Sequence, residues 1–126
     1  MDKNVDILLA EDNSLTSCFL KSVMESKGFE KVDLTFGAEG VLECLEKRSY
    51  QLIVCQDVLP EMTAAELILR LKFNSNVEDT RFLVLTTENE EEYYLKQIPF
   101  DGVSYYTANP INIDTLEEKI EKLLMN

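Results

Sequence analysis

Five short apolar runs recur along this 126-residue chain, and a stretch with helical spacing follows each one. The runs are residues 5–10 (VDILLA), 31–36 (KVDLTF), 51–56 (QLIVCQ), 81–87 (RFLVLTT) and 102–107 (GVSYYT). Each is short, rich in aliphatic or aromatic side chains and bounded by polar residues or glycine, which is how buried strands read. Between them, residues 14–27 put Leu15, Cys18, Phe19, Val23 and Met24 on one helical face, with Gly28 as the stop. Residues 38–48 carry Val41, Leu42 and Leu45, and residues 64–73 carry Leu67, Ile68 and Leu71 behind a Thr63 cap. Residues 90–98 form a short acidic helix that ends near Pro99, and Asn112 caps a last helix with Ile113, Leu116, Ile120, Leu123 and Leu124 inward.

Strands that alternate strictly with helices must be parallel and joined by right-handed crossovers. Nearly continuous apolar strands fit a sheet covered by helices on both faces. The expected fold is therefore an α/β, doubly wound, five-stranded parallel sheet with five helices. No linker, repeat or low-complexity segment interrupts the pattern, so residues 1–126 read as one domain, long enough for one core.

Charge narrows the class of partner. The chain has 24 acidic and 12 basic residues, a net charge of −12. A nucleic-acid surface needs clustered Lys and Arg, so this balance argues against one; it fits a soluble protein whose acidic side chains are mostly solvated, or one that meets basic partner patches. Cys18, Cys44 and Cys55 lack metal spacing, and the chain has no His. An odd number of cysteines without a signal-peptide layout reads as reduced thiols of a cytoplasmic protein, all three packing inside the fold. No apolar run approaches the roughly 20 residues that span a membrane.

Open α/β sheets bind ligands beyond the carboxyl ends of their strands, at the point where the strand order reverses. The residues there are Glu11, Asp12, Gln56, Asp57, Thr86, Thr87 and Asn109. The stretch LIVCQDVLPEM poses a one-residue question, because neighbouring side chains of a strand point to opposite faces. Either Gln56 or Asp57 faces the crevice.

The blocks ILLAEDN, LIVCQDVLPEM, LVLTT and GVSYYTANP together resemble the receiver domain of bacterial response regulators, the CheY-like fold. The resemblance covers essentially the whole chain and implies the strand order 2-1-3-4-5. It implies an acidic pair that binds Mg2+, here Glu11 and Asp12. It implies a switch pair, here the Thr86 hydroxyl and the Tyr106 ring, and a Pro after the fifth strand, here Pro110. Two positions depart from the pattern. The phosphoacceptor Asp stands four residues before the loop Pro in the family, and counting back from Pro60 gives Gln56. The family's Lys, which contacts the phosphate along with the switch hydroxyl, is Asn109. Thr63-Ala64 replaces the usual Asp-Gly, and Thr87 replaces a small residue and narrows the pocket mouth.

An aspartyl phosphate needs a carboxylate nucleophile, with Mg2+ and Lys neutralising the transferring group. Gln56 is not an effective acceptor, and Asn109 supplies no charge. The leading expectation is an atypical, pseudo-receiver module of two-component signalling that is neither phosphorylated nor an enzyme. Mg2+ binding through Glu11, Asp12 and the Gln56 carbonyl is expected to be weak. Tyr93, Tyr94 and Tyr105 mark an expected interface on the face of the fourth helix, fifth strand and fifth helix. A histidine kinase, a downstream effector or a second copy would dock there, with no role for nucleic acid or membrane. The alternative is a working receiver that uses Asp57 with Mg2+, which requires a bulge at the strand end. A small-molecule sensor using the vacated pocket ranks last, because no residue specifies a ligand.

Overall fold

The computed structural model describes residues 2–74, 77, 79–86, 102–107 and 111–125. Its strands are β1 (Ile7–Ala10), β2 (Val32–Thr35), β3 (Leu52–Gln56), β4 (Arg81–Thr86) and β5 (Val103–Thr107). Its helices among the described residues are α1 (Ser14–Ser26), α2 (Gly37–Lys47), α3 (Ala64–Asn74) and α4 (Ile113–Met125). The expected helix at 90–98, with Tyr93 and Tyr94, lies outside the described residues. All strand pairs are parallel, in the order β2-β1-β3-β4-β5. Fold class and strand order are as expected.

Period-2 alternation divides the strand side chains between two apolar layers. Leu8, Ala10, Ile53, Cys55, Phe82, Val84 and Tyr105 pack with Val41, Leu67, Ile68 and Leu71 of α2 and α3. Ile7, Leu9, Leu52, Val54, Leu83, Leu85 and Tyr106 pack with α1 and α4 through Leu20, Val23, Met24, Leu116, Ile120 and Leu123. Burying one such large side chain is worth about 1.5–3 kcal/mol, so each layer anchors its helices firmly.

Helix α1 corrects the expected inward face. Leu15 is 84% exposed, Phe19 is 49% exposed and Cys18 is also on the surface. The buried stripe is Ser17, Leu20, Val23 and Met24. Two apolar stripes with helical spacing share Val23 and Met24, and Leu20 decides between them because it meets β1 and β3 in the core. Strand β2 lies at the sheet edge, so Leu34 and Phe36 stay 40% and 62% exposed although they alternate with Asp33 and Thr35. Cys55 is the one buried thiol, and burial pushes its pKa up to about 12.

Candidate functional site

Strand β1 pairs with β2 on one side and β3 on the other, so the order reverses between β1 and β3. The crevice at their carboxyl ends receives Glu11 and Asp12 from β1 and Gln56 from β3. Asn13 then caps α1, its Oδ1 accepting from the Leu15 and Thr16 amides at 3.0 and 3.1 Å. Glu11 Oε1 accepts from the Asn13 amide at 3.2 Å. Burial pushes the Glu11 carboxyl above the usual range; the Asn13 amide opposes this, and the Asp12 and Asp57 charges reinforce it.

The ladder decides the one-residue question. Gln56 pairs with Leu85 in unbroken register, and the Asp57 amide donates to the Leu85 carbonyl at 2.9 Å. The strand end has no bulge, so alternation sets Gln56 on the side of Leu52 and Val54, and Asp57 on the side of Ile53 and Cys55. Gln56 Oε1 accepts from the Asp12 amide at 2.8 Å. Gln56 Nε2 donates to Asp12 Oδ2 at 3.1 Å and to the Val58 carbonyl. These partners fix the amide's orientation: the Asp12 N–H can only donate, and the two oxygens can only accept. Asp57 shapes the loop. Its Oδ1 accepts from the Val58 amide at 2.9 Å and its carbonyl from Ala64 at 2.8 Å, next to a Val58–Thr63 bridge.

Asp12 Oδ1 is buried and has no hydrogen-bond partner among the described residues. An orphaned carboxylate oxygen is what a cation site would contain, and Mg2+ takes carboxylates and carbonyls in a near-octahedral shell. The rest of the donor set does not fit. Gln56 turns its NH2 group, a donor, to the Asp12 carboxylate and the Val58 carbonyl, and its oxygen to the Asp12 amide. Among the described residues, no three acidic, Cys or His side chains converge as metal ligands. Gln56 Oε1, the oxygen expected to help hold Mg2+, accepts from the Asp12 amide.

The remaining expected residues divide in three. Thr86 ends β4, is 1% exposed and pairs in register with Thr107. Tyr106 is 4% exposed, and its hydroxyl donates to the Asn112 carbonyl at 3.0 Å and accepts from the Asn112 amide. Tyr105 was expected at an interface, but it is 2% exposed and packs in the α2–α3 layer, so its ring offers no contact surface. Thr87, Tyr93, Tyr94, Asn109 and Pro110 lie outside the described residues.

Glu61 was not expected. Its carboxylate accepts from the Ala38 amide at 2.9 Å and the Glu39 amide at 3.3 Å, capping α2 from the β3–α3 loop. Those amides draw its pKa below the usual range. Phe36, at the start of α2, has no side-chain oxygen to do this. Gly37 has φ +69°, and a Cβ there would meet the Glu61 carboxylate at 2.8 Å. A Phe-Gly helix start without a polar cap was the available signal.

Comparison with known proteins places residues 7–121 in a match to the response regulator receiver domain family. The chemotaxis protein CheY-3 of Vibrio cholerae serotype O1 is 24% identical over 98% of this chain and 94% of its own. The transcriptional regulatory protein CrdR of Helicobacter pylori is 28% identical over 92% of this chain, which spans 53% of that protein. Among solved structures, CheY4 of Vibrio cholerae superposes with a TM-score of 0.82 at 20% identity, covering 95% of this chain and 98% of the other.

Proposed function

The chain belongs to the response regulator receiver domain family, and from that premise we propose that it is a receiver whose phosphorylation site has been retired. It works as a binding module of two-component signalling through protein contacts. One observation carries this reading: Gln56, four residues before Pro60, ends β3 in unbroken register, with its amide closed on Asp12. A carboxamide offers no effective nucleophile, and Asn109 brings no positive charge to a phosphoryl group. Thr86 and Tyr106 remain as the switch pair. The Tyr106 ring, buried and bonded to Asn112, supports a domain held in one state.

Its partners are a histidine kinase or a downstream effector. They engage β5 and α4 together with residues 90–98, which lie outside the described residues and supply Tyr93 and Tyr94 as aromatic contacts. The net charge of −12 favours a basic partner surface. Mg2+ is held weakly at most, through Glu11 and Asp12.

Asp57 as acceptor is the second reading. It follows Gln56 directly at the end of β3, with its amide bonded to the Leu85 carbonyl of β4. Intact mass after incubation with acetyl phosphate and Mg2+ separates the two. No phosphoryl adduct is expected on the wild type. An adduct that disappears in Asp57→Ala would establish the second reading.

A further inference from the structure

A cation bound at this crevice needs hard oxygens within reach, and two face each other across it. One is Asp12 Oδ2 and the other is the Val58 carbonyl. A single atom bonds both of them: Gln56 Nε2. The same side chain is anchored from behind by the Asp12 amide, which donates to Oε1 at 2.8 Å. The carboxamide is thus held at both ends and cannot rotate to turn its oxygen forward without breaking three hydrogen bonds.

We propose that the Gln56 amide nitrogen is a built-in substitute for a divalent cation, bonding Asp12 and Val58 together and so keeping a cation off both oxygens. This rests on the retired-site reading and adds how the retired site is kept ordered. An N–H donor bridges two oxygens that would otherwise face each other, one of them on the part-buried Asp12 carboxylate, and a hydrogen bond to a charged group is stronger than a neutral one. The amide carries no charge and leaves Asp12 Oδ1 without a partner. It therefore links the two oxygens but neutralises no charge. The crevice stays closed and ordered with no ligand, so the domain would not respond to changes in Mg2+.

The test uses the whole chain and paramagnetic Mn2+ as the probe, titrated into isotope-labelled wild type, Gln56→Asp and Gln56→Ala. Thermal midpoints are read in parallel with Mg2+ and with a chelator. In the wild type, no selective broadening is expected at the Asp12 and Val58 amides, and the midpoints coincide. Gln56→Asp exchanges a donor for a ligand. Its Asp12 and Val58 signals broaden, its midpoint rises with Mg2+, and its affinity exceeds that of the wild type by at least about tenfold. In chelator it melts below the wild type, because two carboxylates then face each other. Gln56→Ala clears the position without adding charge, and selective broadening is expected there even if the Asp variant does not fold. A wild type that broadens at Asp12 and Val58 as strongly as the variants would overturn the proposal. So would two variants as indifferent to metal as the wild type. Neither result produces a phosphoryl adduct, so the retired-site reading would survive them; an acetyl phosphate adduct on the wild type removes that reading instead.

Discussion

A carboxamide differs from a carboxylate by one NH2 group in place of one oxygen, and at Gln56 that group determines what the crevice can do. It converts an acceptor-only side chain into one that bonds a carboxylate and a carbonyl together. The pattern of the sequence located Gln56, because counting back from Pro60 needs no structure. The amide's partners were not legible. Asp12 and Val58 reach it through strand pairing, and the orientation of an amide depends on neighbours the sequence does not place. Tyr105 and Tyr106 show the same limit. Adjacent residues on a strand must face opposite ways, but with apolar layers on both sides of the sheet both rings are buried. Tyr106 gives a residue-scale prediction. Tyr106→Phe keeps the ring and loses both bonds to Asn112, which should lower stability by about 0.5–1.5 kcal/mol in chemical denaturation. An unchanged midpoint would mean that the hydroxyl does not hold the start of α4.

Among the elements, the inward face of α1 and the cap of α2 escaped the sequence, for different reasons. In α1 two stripes of similar apolar content compete, and the choice is made by contact with the sheet rather than by spacing. Cys18 therefore lies on the surface, whereas Cys55 is buried with its thiol pushed up to about 12. Alkylation of the native protein at neutral pH should modify Cys18 first and leave Cys55 intact until the chain is unfolded. Mass mapping checks this, and early labelling of Cys55 would contradict the packing of β3. In α2 the cap comes from Glu61, 23 residues beyond the amide it serves, so no local pattern announces it. Its pKa is lowered in the fold, so its contribution is present above the ordinary value of 4.5 and lost as pH falls through the lowered one. Glu61→Gln should therefore melt below the wild type at neutral pH, and the gap should close in acid. A gap that is constant with pH would show that the charge on Glu61 plays no part.

For the whole molecule, the alternation of apolar runs and helical patterns was enough to predict the parallel sheet, because only right-handed crossovers connect such elements. The strand order came with the family resemblance, and the sheet has it. That order puts Glu11, Asp12 and Gln56 around one crevice, and it also connects the crevice to Thr86 and Tyr106 through β4 and β5. A receiver that switches must have two states of this connected unit, with a ligand that favours one of them. Here the crevice is closed by its own side chain and Tyr106 is held at Asn112, so one state is expected under all conditions. The most direct measurement is an amide spectrum of the isotope-labelled domain recorded alone and then with Mg2+ and acetyl phosphate. Superimposable spectra are predicted, including the resonances of Thr86 and Tyr106. Shifts that spread from the crevice to those two residues would contradict a retired site and show a receiver that still switches.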